Sequence, residues 1–139
     1  MARILMPVDG SPHGERVAAF VARLAAALQV EVYVFTAREP IDLRARAFLS
    51  AEDVEREYAA GAARDTATIC KMLADAGVRH EVRWKAGDPA ETIIAECTRL
   101  ECDHIVMGSR GASPIAAALV GSVAYKVVRA APVPVTVVR

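Results

Sequence analysis

The feature that most restricts the fold is an alternation of short apolar runs with longer amphipathic stripes. Arg3-Ile4-Leu5-Met6-Pro7-Val8 is a continuous apolar run, the mark of a strand buried on both faces. Val17, Phe20, Val21, Leu24 and Leu28 then recur at helical spacing. Glu31-Val32-Tyr33-Val34-Phe35-Thr36 returns to strand formers. Val54, Tyr58, Ala62, Ile69, Met72 and Leu73 mark one side of a long helix. Val78 to Trp84 alternates apolar and polar residues, which suits an edge strand. Ala90, Ile93, Ile94 and Cys97 form a further helical stripe, and Asp103 to Met107 is a short buried strand. Val123, Ala124, Val127, Val128 and Ala131 predict a last helix, and Val135-Thr136-Val137-Val138 a closing strand. Strands and helices that alternate in this way specify an α/β chain, with a parallel sheet covered by helices on both faces.

The junctions carry their own signals. Asp9-Gly10-Ser11-Pro12 ends the first strand, with Ser11 expected to cap the next helix and Pro12 at its first position. Ala37 to Leu49 is irregular, contains Pro40 and mixed charge, and is expected to be an exposed loop. Ser50-Ala51-Glu52-Asp53 opens the long helix as a variant capping box, and Gly77 ends it. Asp88 caps the following helix, with Pro89 at its start and Glu91 three residues beyond the cap.

The 139 residues suit one domain. With 54% hydrophobic residues, the chain builds a core without staples. Lysine plus arginine and aspartate plus glutamate both number 17, so the formal net charge is zero. That balance argues against nucleic acid or an anionic membrane as the main partner. No apolar run is long enough to span a bilayer, and the start of the chain does not read as a signal peptide. Cys70, Cys97 and Cys102 form no C-x-x-C pair and read as reduced packing thiols, which suits a cytoplasmic protein. His13, His80 and His104 lack metal-ligand spacing and are expected to be structural or solvent-facing, so no metal site is assigned.

The most specialised stretch runs from Met107 to Tyr125. It holds Gly108-x2-Gly111-x9-Gly121-Ser122 between the fourth strand and the last helix. A glycine-rich loop that feeds a helix N-terminus presents bare backbone amides, a ready anion site. Each glycine taken alone also fits a tight turn or a close helix contact. Asp9 fits either a turn residue or a carboxylate that accepts from ribose hydroxyls or a nearby amide. Open parallel sheets bind ligands at the carboxyl ends of their strands, where the strand order reverses. If the first and fourth strands are neighbours there, both loops face one crevice. The P-loop pattern, the G-x-G-x-x-G fingerprint after the first strand, the G-x-S-x-G elbow and the kinase signatures are all missing. No residue in the loops stands out as a general base, and no catalytic residue is assigned.

These motifs resemble the universal stress protein family, in its ATP-binding branch. The glycine spacing from Gly108 to Ser122 is similar to that family's nucleotide motif. Ile4-Leu5-Met6-Pro7-Val8-Asp9-Gly10-Ser11 resembles its first strand and loop, Gly87-Asp88-Pro89 its third junction, and Ala131-Pro132-Val133-Pro134-Val135 its closing strand. The resemblance covers the whole chain. It implies a single-domain, open five-stranded parallel sheet in order 3-2-1-4-5, Rossmann-like and adenine nucleotide alpha hydrolase-like. It also implies a homodimer through the C-terminal strand, Val133 to Val138.

Carried over residue by residue, the resemblance implies that Pro7, Val8 and Asp9 line an adenosine site, with Ala37 offering backbone to adenine. Met107, Gly108, Arg110 and Gly111 would line ribose and phosphate, and Gly121, Ser122 and Val123 would donate to the phosphates. Two departures stand out. Ala124 replaces the serine or threonine of many ATP-binding members, and Ser113 to Leu119 lacks the basic residues often found there, so Arg110 is the loop's lone cation. A triphosphate would then need Mg²⁺ to offset its charge. The expected function is a regulatory, non-enzymatic, ATP-binding homodimer in stress response. The alternative is a dimeric interaction module of the same fold without nucleotide. An ATP pyrophosphatase or adenylating enzyme is disfavoured, because the S-G-G-x-D-S loop of such enzymes is replaced here by Val8-Asp9-Gly10-Ser11.

Overall fold

The computed structural model describes residues 1–110 and 120–139. The elements are β1 (Ala2–Pro7), α1 (His13–Ala27), β2 (Val30–Arg38), α2 (Leu43–Arg46), α3 (Ala51–Asp75), β3 (His80–Ala86), α4 (Pro89–Arg99), β4 (His104–Gly108), α5 (Ser122–Ala130) and β5 (Val135–Val138). The strands form one five-stranded sheet in the order β3-β2-β1-β4-β5, and every neighbouring pair is parallel. The sheet order expected from the resemblance is therefore the observed one.

The period of two along each strand divides the core into two layers. Ile4, Met6, Val32, Val34 and Val106 face α1 and α3, where they meet Val17, Val21, Ile69 and Leu73. Leu5, Tyr33, Phe35, Ile105 and Met107 face α4 and α5, where they meet Ile93, Cys97, Ala124 and Val127. Phe35, Leu5 and Met6 are fully buried, and each such side chain stabilises the fold by roughly 1.5–3 kcal/mol through burial. Among the described residues, no helix is long and apolar enough to cross a membrane.

Several junctions form as the sequence predicts. Ser50 accepts from the Asp53 amide at 3.1 Å while Asp53 accepts from the Ser50 amide at 3.3 Å, completing the capping box of α3. Gly77 follows the end of α3 with φ +70, a backbone geometry that a side chain would strain. Asp88 accepts from the Glu91 amide at 3.0 Å and Pro89 opens α4.

Others differ. Ser11 does not cap α1: the N-cap is Pro12, and no side chain bonds the first helical amides. The Asp9 carboxylate takes the Ser11 amide at 3.0 Å, which tightens the loop and turns the serine away from the helix. The Ser11 hydroxyl ends buried without a hydrogen-bond partner. The irregular stretch after the second strand is also more ordered than expected. Ala37 and Arg38 continue β2 because Lys85 and Ala86 extend β3 alongside them, and Leu43–Arg46 forms a short helix capped by Asp42. Leu28 and Val128, expected on apolar stripes, are exposed; α1 ends at Ala27, so Leu28 lies past the helix in extended backbone and leaves the stripe.

Candidate functional site

The chain leaves β1 through α1 toward β2 and β3, and returns to place β4 on the other side of β1. The strand order reverses between these two neighbours, and their carboxyl ends splay two loops apart. A cavity of about 260 Å³ opens there. Pro7, Val8, Asp9, Ala37, Met107, Gly108, Arg110, Gly121, Ser122 and Val123, all expected at a site, line this one hollow. Gly111 lies outside the described residues, as does the stretch Ser113 to Leu119.

The hollow is lined by both apolar and polar residues. Phe35 from β2, Met107 from β4, Val17 from α1 and Ile93 from α4 supply apolar surface. Val8 donates its amide to the Phe35 carbonyl at 2.8 Å, which pins the start of the first loop to β2. Asp9 lines it with its carboxylate already holding the Ser11 amide. Arg110, which also lines the hollow, is exposed.

The N-terminus of α5 faces the same hollow. Its first helical bond runs from the Tyr125 amide to the Gly121 carbonyl at 3.0 Å, so the amides of Ser122, Val123 and Ala124 precede the ladder. Such amides, with the positive end of the helix dipole, attract an anion by roughly 0.3–1 kcal/mol at a surface. Each charge-assisted hydrogen bond they make adds about 1.5–3 kcal/mol. Gly121 departs from its expected role as a donor. Its amide is bonded to the Ser109 carbonyl, and Ser109 in turn donates to the Val138 carbonyl at 2.8 Å. Gly121 thus contributes shape: a Cβ there would stand 3.2 Å from the Ser109 carbonyl oxygen.

Sequence reasoning missed part of the wall. Ser11, His13 and Gly14 reach the cavity from the first loop and the start of α1, and Pro89 with Ile93 reaches it from α4. His13, expected to be structural or solvent-facing, is one of the cavity's lining residues. His104 does have a structural part, with Nε2 2.7 Å from Thr136 Oγ1 across β4 and β5. The position of His13 just after a loop at a strand's carboxyl end was the one available signal. Among the described residues, no cluster of three or more His, Cys, Asp or Glu side chains is placed to hold a metal ion.

The cysteines are free thiols with raised pKa values. Burial pushes all three up, and Cys102 reaches about 12 with the neighbouring Cys97 adding to the effect. They are protonated packing groups near neutral pH.

Comparison with known proteins agrees with this architecture. The model of the universal stress protein family matches residues 1–139. A universal stress protein of Thermus aquaticus is 35% identical over 138 residues, spanning 98% of this chain and 97% of its own length. The structure of the hypothetical protein MJ0577 superposes with a TM-score of 0.84 at 26% identity, covering 99% of this chain and 94% of the other. A universal stress protein solved in complex with cAMP superposes with a TM-score of 0.77, also at 26% identity, covering 99% and 97%. With its whole length matched and its sheet order shared, the chain belongs to the universal stress protein family.

Proposed function

We propose that this chain binds an adenine nucleotide in the cavity between β1 and β4, that the nucleotide is ATP with Mg²⁺, and that the protein acts as a homodimeric regulator in stress response rather than as an enzyme. One observation carries the proposal. Apolar side chains, Phe35 and Met107 among them, line the same cavity as the residues whose amides lead α5. A purine base fits the apolar part, and phosphate oxygens fit the amides. That a similar universal stress protein was solved in complex with cAMP supports an adenine nucleotide as the ligand.

In this reading Pro7, Val8 and Asp9 border the nucleoside, and Ala37 offers its backbone to adenine. Met107, Gly108 and Arg110 border the ribose and phosphates, and Ser122 and Val123 donate to phosphate oxygens. Arg110 and a few amides offset only part of a triphosphate's charge. Mg²⁺ would be held chiefly by the phosphates, as that ion commonly is. The proposed role is binding and switching rather than hydrolysis. The free thiols suit a reducing compartment such as the cytoplasm. Strand β5 forms one edge of the sheet, and pairing with a second copy along Val133 to Val138 would cover it.

Mass spectrometry of the small molecules released from freshly purified protein tests the proposal. An adenine nucleotide in stoichiometric amount is the expected result. Empty protein that shows no thermal shift in ATP and Mg²⁺ would favour the interaction module without nucleotide.

A further inference from the structure

Two glycines outside the cavity make room for a single ion pair. Arg38, at the end of β2, donates from Nη1 to Asp65 Oδ2 of α3 at 2.6 Å. Gly61 lies one turn earlier in α3, where a Cβ would stand 2.5 Å from Arg38 Nη2. Gly10, in the first loop, has φ +82, and a Cβ there would stand 2.8 Å from Asp65 Oδ1. The Asp65 carboxylate therefore packs directly on the backbone of the loop that carries Asp9. Arg38 is bonded through its carbonyl to the Gly87 amide at 3.0 Å, and its neighbour Ala37 lines the cavity. The side chains of the pair are 19% and 33% exposed, so solvent screens the pair only partly.

We infer that Arg38 and Asp65 are positioning residues for the cavity: the pair clamps the end of β2 and the Asp9-Gly10-Ser11 loop against α3, and so fixes two walls of the site at once. The inference rests on the proposed nucleotide site for its consequence, although the clamp itself does not depend on a ligand. It explains why a glycine occupies the interior of α3, where alanine is preferred. The Gly61 position is reserved for a guanidinium.

Two substitutions separate positioning from plain stability. Gly61→Ala expels the guanidinium from its seat while improving helix propensity, so Tm is held or raised. Asp65→Asn keeps the shape and removes the charge. Each is read by hydrogen exchange of residues 9–11 and 36–38 in nucleotide-free protein, and by the Kd for ATP in Mg²⁺. The expected result for both variants is faster exchange in those two segments and an affinity weakened about tenfold, with no matching fall in Tm for Gly61→Ala. Unchanged exchange in both variants overturns the clamp. Faster exchange with unchanged affinity overturns its link to the site. If the wild-type protein binds no adenine nucleotide, the proposed function falls, and the exchange data alone decide whether the pair holds the loop.

Discussion

The backbone amide of Gly121 is bonded to the carbonyl of Ser109. Ser109 is buried, and its own amide is held by Val138 at the end of β5. The end of β4 and the start of α5 are thereby fixed against each other. That contact spends the glycine's own amide and leaves the amides of Ser122, Val123 and Ala124, ahead of the helical ladder, at the cavity.

Substitution at Gly121 follows from that geometry. Valine would press on the Ser109 carbonyl, 3.2 Å from the position of a Cβ, and move the α5 terminus. The loss of two amide bonds to phosphate, about 1.5–3 kcal/mol each, corresponds to at least about a hundredfold weaker ATP binding. Calorimetric titration of Gly121→Val checks this, with circular dichroism to establish that the fold persists. Unchanged affinity in a folded variant refutes the phosphate assignment.

Magnesium should matter. Among the described residues, Arg110 is the one arginine or lysine that lines the cavity, and the carboxylate-bearing Asp9 lines it too. ATP is expected to bind at least about tenfold more tightly with Mg²⁺ than in EDTA, which corresponds to about 1.4 kcal/mol. Equal Kd values in the two titrations would contradict it.

Acid stability should depend on Glu96. This side chain is buried on α4 and accepts from the Arg99 guanidinium, first through Nε at 2.9 Å. The Arg99 hydrogen bond holds its carboxyl below the usual carboxylate range, against the opposing effect of burial. A carboxyl with a lowered folded pKa stabilises the fold above its unfolded value, about 4.3, and that stability is lost as pH falls through the folded value. Tm of the wild type should therefore fall more steeply below about pH 4.3 than Tm of Glu96→Gln. Parallel profiles would show that the pair adds nothing at acid pH.

The alkaline side belongs to Cys102. The folded chain keeps this thiol protonated up to about pH 12. The unfolded chain ionises near pH 8.5, so stability present below that pH is lost as pH rises past it. Tm measured from pH 8 to 10 should decline more steeply for the wild type than for Cys102→Ala. In thiol titration of the native protein at pH 8, Cys70, which is only half-buried, should react ahead of Cys97 and Cys102. Equal reactivity of all three would show that the native packing does not shield the buried pair.

Association can be read directly. Strand β5 is partly exposed along its whole length at the sheet edge. Analytical ultracentrifugation at micromolar concentration is expected to give a dimer. A monomer alone would remove the proposed role of Val133 to Val138.

Some of these relationships were legible in the residues themselves. Period-two and helical patterns depend on neighbours a few positions apart, so the chain alone identified five strands, the caps at Ser50 and Asp88 and the helix stop at Gly77. The glycines and Asp9 marked the two loops that border the cavity.

What the chain alone left undecided depends on distant partners. Ser11 carries a strong capping signature, but Asp9 claimed its amide and left its hydroxyl without a partner. Ala37 and Arg38 look like loop residues until β3 runs far enough to pair with them. Pro89 and Ile93 have no local mark of a binding wall; they reach the hollow only because the crossover brings the start of α4 to the same end of the sheet. The sequence by itself determined the five strands and the four longer helices, because short-range sterics and hydrophobic periodicity suffice for that. Only the tertiary structure decided which backbone donors remain open and which glycines yield space to the Arg38–Asp65 pair, because both depend on contacts between segments far apart in the chain.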